Sequence, residues 1–510
     1  MRTMQEAYEG VETYSPAEQR FNRRRRTLGL FVSPLVFLVI LAWPMPALAP
    51  AAHRMAAVMA LVILLWMTEA LPMAVTALLG PVLAILLRIA PARAALASFA
   101  DPIIFLFIGS FMLAEAMFVH GLDRRIAYTA LSSPAIGSSG FRILVVYGGV
   151  ATGLSMWISN TATTAMMFPI GLSIVTHLSR GHGRASGDLR RFAMAMMLMT
   201  SFGASVGGMA TPVGTPPNLI GIGFLERITQ VRVTFFQWMV LGVPVVVLLF
   251  AYLVAVLGWS SARQVRAGED SASLVRDELR KLGPMSAGQR NALIAFAVTV
   301  LLWVTPGLLG IAGLAESPFA RAFSQAVPES VAAMVGATLL FLMPVNWRAR
   351  RFTLAWDEAV RIDWGIILLY GGGLALGDLA FSTGLARAVG DGLAARFVSD
   401  SPVALTALFT GLAILLSETT SNTAAANMIV PVALAVASAS GHDPTLPAIG
   451  ATLGASMGFM MPISTAPNAI VYSSGYIPIG QMVKYGLLLD VVAFVVIVGV
   501  VTLLGPLVFG

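Results

Sequence analysis

Long apolar runs separated by short polar stretches fill the chain from about residue 28 to its end. They fall near 28–49, 55–70, 72–90, 102–119, 143–178, 192–224, 235–258, 291–308, 329–344, 364–381, 402–440, 446–477 and 483–508. Such runs predict transmembrane helices, because about 20 residues at 1.5 Å rise span a hydrocarbon core about 30 Å thick. Four of the runs are interrupted by polar residues, and the interruptions come in matched pairs.

The first pair is "SNTATTAMMFP" at 159–169 and "SNTAAANMIVP" at 421–431. The apolar arms on either side of the first motif, 143–158 and 162–178, have roughly 16 residues each, about 24 Å of helix. Neither arm comfortably spans a bilayer, so two short arms meeting at a polar tip predict a re-entrant hairpin. The arms 402–416 and 424–440 predict the same around the second motif. Irregular backbone at that depth survives only where protein buries it or where it lines a wet cavity.

The distribution of charge supports this topology. The first 26 residues are polar and end in "RFNRRRR", with no short apolar core of the kind that opens a cleaved signal peptide. The basic run predicts a cytoplasmic N-terminus. With both hairpins returning to the side they entered, the cytoplasmic segments gain Arg124, Arg125, Arg180, Arg184, Arg190 and Arg191. They also gain the cations of the 259–290 loop, "NWRARR" at 346–351, and Lys484. The opposite side keeps only scattered cations such as Arg54, Arg93, Arg232, Arg321 and Arg396. Counting either hairpin as a full span would destroy that asymmetry.

Composition narrows the class. Of 510 residues 57% are hydrophobic and 11% charged, with a mean hydropathy of +0.83. A soluble chain carries about a quarter charged residues, so this is a polytopic helical membrane protein. The absence of cysteine excludes disulfides, thiolate metal sites and cysteine nucleophiles. The net charge of +7 is accounted for by cytoplasmic loops and needs no nucleic-acid partner.

An internal repeat runs through the chain. "PIIFLFIGSFMLAEAMFVHGL" at 102–122 aligns without gaps with "GIILLYGGGLALGDLAFSTGL" at 365–385, placing Glu115 on Asp378 and Gly121–Leu122 on Gly384–Leu385. The offset is 263 residues (365 − 102), and the two SNT motifs lie 262 apart (421 − 159). The topology makes the copies inverted, an architecture common among secondary transporters. The polar 259–290 segment joins a first half at 28–258 to a second at 291–510, after a cytoplasmic segment at 1–27.

Each half carries a second interruption, "GTPPN" at Gly214–Asn218 and "STAPN" at Ser464–Asn468. Proline is tolerated at a helix start, where its missing N–H would be unsatisfied anyway, so each break leaves a half-helix beginning within the membrane. The residues after each SNT also begin a helix, with Ser, Asn or Thr as caps. Four helix N-termini then face one region and suit an anion. No Lys or Arg lies within the motifs, so a carboxylate there would not be neutralised, and a co-bound cation would supply the remaining charge. Hydroxyls, Asn oxygens and unwound carbonyls are hard ligands of the kind that bind Na⁺ in broken-helix transporters. Isolated Ser and Thr in membrane helices are usually packing residues; duplication at both hairpin tips and both breaks favours a binding site.

The paired SNT motifs, "GTPPN", "STAPN" and "LFIGSFMLAEAM…GLDRRIA" resemble the divalent anion:sodium symporter family, over nearly the whole chain from about residue 28. The resemblance implies a homodimer of Na⁺-coupled di- or tricarboxylate transporters that works as an elevator. A scaffold, from helices up to about 140 and from 291 to about 400, would carry the dimer contact. A mobile transport domain would hold the hairpins and broken helices at 141–258 and 401–510. It also implies substrate contacts at Asn160, Thr161, Thr215, Asn422, Thr423 and Thr465. The implied first Na⁺ site is Ser155, Ser159, Asn160 and Gly214, and the second is Ser417, Thr420, Asn422 and Ser464. Ala466 stands where the family usually has proline. The oxygen-bearing Ser155, Ser417, Asn160 and Asn422 favour a symporter over a Na⁺-independent exchanger, and the resemblance implies a C4-dicarboxylate as the anion and the inner membrane as the location. Citrate and sulfate stay open as alternative anions.

Three membrane acids stand apart. Glu115 and Asp378 are repeat-related and suit structural pairing as well as a proton relay, whereas Glu418, three residues before Ser421, lies closest to the predicted site. His182 falls in a cytoplasmic turn. No nucleotide-binding glycine motif, HExxH or nucleophile–base set occurs, which disfavours an enzyme. A channel would not need paired mid-membrane anion and cation sites.

Overall fold

The computed structural model describes residues 16–133, 139–181, 187–259, 270–395 and 401–509. Among them, 11 helices are long and apolar enough to cross a membrane. The one sheet among the described residues is a two-stranded antiparallel ribbon, Pro344–Asn346 with Arg351–Phe352, in the polar turn around "NWRARR".

The repeat is visible as a repeated order of elements. Helix Pro102–His120 is followed by Leu122–Leu131, and helix Trp364–Ser382 by Leu385–Ala394. Between the members of each pair the chain turns on a glycine in the left-handed region, Gly121 at φ 64° and Gly384 at φ 82°, a conformation costly for any other residue type. The aligned Gly-Leu dipeptides encode that turn. The first hairpin follows as Gly140–Ser155 and Asn160–Gly181, the second as Pro402–Thr419 and Asn422–Ala439. The arms of each pack against one another.

The broken helices come next. The first is Gly187–Gly207, continued by a 3-10 turn at Gly208–Ala210, then a break, then Pro216–Thr229. The second is Thr445–Gly454 and, after a longer break, Ala466–Tyr472. The helices after the breaks start at corresponding residues, Pro216 and Ala466. The longer gap comes from the earlier end of the preceding helix at Gly454, and the helix that follows is only 7 residues long.

Packing between the halves is reciprocal. Gly187–Gly207 lies against Ala466–Tyr472, and Thr445–Gly454 against Pro216–Thr229. The segment before one break therefore sits beside the segment after the other, as antiparallel chains require. The hairpins repeat the exchange, with Asn160–Gly181 touching Ala466–Tyr472 and Asn422–Ala439 touching Pro216–Thr229. Close approach seals this seam. A Cβ on Gly221 would fall 1.9 Å from the Thr452 hydroxyl, and the rings of Phe202 and Phe459 meet edge to face at 5.0 Å. The inverted arrangement expected from the charges is the one observed.

Other expectations need adjustment. The basic "RFNRRRR" run, placed in a cytoplasmic segment at 1–27, is part of the same helix as the first apolar run, Pro16–Ala42. Within it Arg25 lies 2.9 Å and Arg26 3.3 Å from Glu69. The joining segment contains a helix, Asp270–Lys281, whose polar composition hid it from a reading for apolar runs. The second arm of the first hairpin is longer than 162–178, reaching Gly181. The apolar run near 329–344 is joined to a preceding short helix, Pro318–Ala326, at a bend of 65°. His182, Arg184 and Arg396 lie outside the described residues.

Candidate functional site

At the first tip, helix Gly140–Ser155 ends and Asn160–Gly181 begins after a four-residue turn, with the Ser159 hydroxyl accepting the backbone N–H of Ala162 at 3.3 Å. Ser155, fully buried, donates to Asn160 Oδ1 at 2.8 Å. Ser159, Asn160 and Thr161 are only partly buried. The first broken helix closes the other side. A Cβ on Gly208 would come within 2.2 Å of Asn160 Oδ1, and one on Gly214 within 2.9 Å of the Met156 carbonyl. The Thr211 hydroxyl donates to that same carbonyl.

The second tip repeats the pattern. Ser421 caps its helix by accepting Ala424 N–H at 3.2 Å. Buried Ser417 donates to Asn422 Oδ1 at 2.7 Å and to the Ala455 carbonyl at 2.8 Å. Asn422 Nδ2 donates to the Ser456 carbonyl at 3.3 Å. Gly458 takes the place of Gly208, though with more room: a Cβ there would stand 3.1 Å from Asn422 Oδ1. Thr420 Oγ1 bonds its own helix at Leu416. Each tip thus presents one Ser–Asn oxygen pair, a helix N-terminus and the backbone of a broken helix.

The breaks are built alike. Thr215 and Thr465 are extended N-cap residues, and Thr465 accepts the Asn468 N–H at 3.3 Å. Asn218 Nδ2 donates back to the carbonyls of Gly208 at 3.0 Å and Thr211 at 2.8 Å. Asn468 Nδ2 does the same to Gly458 at 3.0 Å and Met461 at 3.1 Å. Each asparagine, fully buried, satisfies two carbonyls that an unwound helix leaves without partners. Their duplicated place in "GTPPN" and "STAPN" was the signal for this role, although the sequence reading gave it to neither residue.

One difference between the halves places a charge beside the second tip. Offset by 262 residues from Met156 stands Glu418, buried, whose carboxylate accepts from Phe459 N–H, from Met460 N–H at 2.9 Å and from Ser464 Oγ at 2.8 Å. It therefore touches a predicted Na⁺ ligand directly. The acids Asp378 and Glu115 lie elsewhere. Asp378 accepts from Ser98 at 2.8 Å and pairs with Arg227 at 3.2 Å, while Glu115 is partly buried on the repeat-related helix Pro102–His120.

Residues 24–510 match the model of the family described as the sodium:sulfate symporter transmembrane region. The chain belongs to this family. Two relatives agree: it is 33% identical over 490 residues to the "Sodium-dependent dicarboxylate transporter SdcS" of Staphylococcus saprophyticus, covering 95% of this chain and 92% of the relative. It is 32% identical over 496 residues to the protein of that name from Staphylococcus aureus, with the same coverage. Members of the symporter family are transporters, so this chain is a membrane transporter and not an enzyme. The fold also resembles solved transporters of low identity. One is the Alcanivorax borkumensis YdaH transporter, TM-score 0.55 at 14% identity, covering 95% of this chain and 98% of that one. Another is Neisseria gonorrhoeae MtrF, TM-score 0.51 at 12%, covering 97% and 96%. These share the fold alone.

Proposed function

We propose that the protein is a secondary active transporter that moves a C4-dicarboxylate of the succinate, malate or fumarate type inward with Na⁺. The observation that carries this reading is the duplicated Ser–Asn pair, Ser155–Asn160 and Ser417–Asn422, each set at a helix start and against a broken helix. The names of the staphylococcal relatives supply the substrate class.

The proposed anion site is Asn160, Thr161 and Thr215 with Asn422, Thr423 and Thr465. One carboxylate would lie at each tip, against free N–H groups and partial positive charge. Na⁺ would be held at Ser155, Ser159, Asn160 and Gly214, and a second at Ser417, Thr420, Asn422 and Ser464. Two full charges brought to mid-membrane uncompensated would be costly, so the cations lower the cost of anion entry. The hairpins and broken helices would travel as one body against a scaffold formed by the helices of 28–140 and 291–400, in an elevator. That scaffold would also carry a homodimer contact in the inner membrane, with the N-terminus cytoplasmic.

Uptake of labelled succinate into proteoliposomes, over a Na⁺ titration with Li⁺ and choline as controls, tests the reading. Saturable Na⁺-dependent uptake supports it. Full uptake in choline, driven only by internal dicarboxylate, would establish an exchanger instead. Competition by citrate or sulfate at lower concentration than succinate would move the substrate assignment.

A further inference from the structure

The ribbon of Pro344–Asn346 and Arg351–Phe352 stands between the end of helix Glu329–Leu342 and the start of helix Trp364–Ser382. Its root is buried and hydrogen-bonded. Asn291 Nδ2 donates to the Pro344 carbonyl at 3.1 Å and to Thr353 Oγ1 at 2.9 Å. Thr353 Oγ1 donates to the Met343 carbonyl at 2.8 Å, and the Thr353 carbonyl accepts from His120 Nε2 at 2.6 Å. Its tip is the opposite. Trp347, Arg348, Arg350 and Arg351 are all exposed, Trp347 by 74%.

The three arginines are left without counter-charges. Among the described residues no ion pair or hydrogen bond engages any of their guanidinium groups. The acids of the same polar segment are committed elsewhere. Asp357 lies 3.8 Å from Arg361. Glu358 accepts the Ala355 N–H at 2.9 Å, and Asp363 accepts the Ile366 N–H at 3.2 Å. Three like charges within four residues repel one another, yet the buried root holds them together. Arg350 is moreover at φ 48°, a left-handed conformation that glycine or asparagine adopts at less cost. An arginine kept there indicates that its side chain is used. The neighbouring aromatic rings fix the level in the bilayer. Exposed Trp347 and Trp356, beside the ends of two apolar helices, mark the membrane–water interface, where tryptophan collects.

We propose that the ribbon tip binds the phosphate of an anionic phospholipid, with Arg348, Arg350 and Arg351 around the headgroup and Trp347 against the glycerol region. The planar guanidinium fork matches phosphate oxygens in pairs and sheds its water readily, and basic clusters next to membrane helices attract anionic lipids. The ribbon is rooted on helices Pro102–His120 and Ala287–Ile311 through His120 and Asn291, so a bound lipid would hold that part of the bundle at a fixed depth. The inference is independent of which anion or cation the protein carries.

The experiment titrates NBD-labelled phosphatidylglycerol onto the full-length protein in neutral detergent micelles, with NBD-labelled phosphatidylcholine as the zwitterionic control. Each arginine beside an anionic lipid strengthens binding about 5-fold. The triple variant Arg348→Gln, Arg350→Gly, Arg351→Gln should therefore bind phosphatidylglycerol on the order of 100-fold more weakly and leave phosphatidylcholine unaffected. The charge-conserving variant Arg348→Lys, Arg350→Lys, Arg351→Lys should recover most of the loss. Equal binding of the two lipids by wild type overturns the proposal. So does a triple variant that binds phosphatidylglycerol as wild type does, which would assign the lipid to another basic segment. Displacement of the lipid by inorganic phosphate at equal concentration would make the tip a free-anion site and also overturn it. A triple variant that changes oligomeric state while keeping its lipid affinity would make the tip a contact between copies, with the same consequence. Should the triple variant not fold, Arg350→Gly, which suits the left-handed turn, decides the question by a loss of about 5-fold or none.

Discussion

Ser417 donates to Asn422 Oδ1 at 2.7 Å across the second hairpin tip, and Ser155 donates to Asn160 Oδ1 at 2.8 Å across the first. The hydroxyl fixes the amide so that its oxygen stays at the tip instead of rotating outward. In the proposed reading the asparagine serves both ligands, its oxygen facing the cation and its amide N–H the anion, and binding linkage requires each ligand to tighten the other equally. Asn160→Ala and Asn422→Ala should each weaken both Na⁺ and succinate by about 10-fold or more, the worth of a hydrogen bond to a charged group. Thr161→Ala and Thr423→Ala should weaken mainly succinate. Succinate binding measured at several fixed Na⁺ concentrations separates the two classes, and identical behaviour of Asn and Thr variants would refute the shared role.

The glycines facing the two asparagines are not equivalent. A methyl group on Gly208 would stand 2.2 Å from Asn160 Oδ1, a distance that a small local relaxation cannot cure. On Gly458 the nearest atoms, Ser417 O and Asn422 Oδ1, lie at 3.0 and 3.1 Å. Gly208→Ala should therefore displace Asn160 and abolish uptake, while Gly458→Ala should leave measurable uptake at raised Na⁺. Equal loss in both would contradict the geometry.

Much of this arrangement was legible in the sequence because repetition doubles every signal. The SNT and Pro-Asn motifs, and the Gly121 and Gly384 turns, each appear twice in the same order, at offsets of 262 (421 − 159), 250 (464 − 214) and 263 (384 − 121) residues, so chance resemblance drops out. What escaped was asymmetric or not apolar. Helix Asp270–Lys281 has no apolar run. The lengthened second break comes from the early end of helix Thr445–Gly454, which no motif in the sequence marks.

Arg227, at the end of the first broken helix, reaches Asp378 on helix Trp364–Ser382, which belongs to the proposed scaffold. An elevator must break that contact in each cycle. The arginine side chain is 49% exposed, so the pair contributes about 1 kcal/mol or less after solvent screening. Arg227→Ala should leave the thermal unfolding midpoint within a few degrees of wild type while changing the uptake rate by up to about 5-fold. A large loss of stability with no change in the rate per folded molecule would make the contact a fixed strut rather than a moving one.

Asp123 offers a test of stability that is independent of transport. It lies in the first turn of helix Leu122–Leu131, outside the membrane-crossing helices, and is 2% exposed with one carboxylate oxygen unpartnered. Burial pushes its carboxyl up from 3.8 to about 6, against the opposing pull of Arg124 and the local backbone. The folded chain therefore holds this proton more tightly than the unfolded one. Its contribution to stability is fully present below pH 4, is lost as pH rises toward 6, and stays lost above that. A rise of that size is worth about 3 kcal/mol. Asp123→Asn removes the charge, so it should raise the unfolding midpoint at about pH 8 by several degrees and bring little or no gain near pH 4.5. Thermal unfolding in detergent at both pH values measures the difference. An equal change in midpoint at the two pH values would show that the carboxylate bears no burial cost.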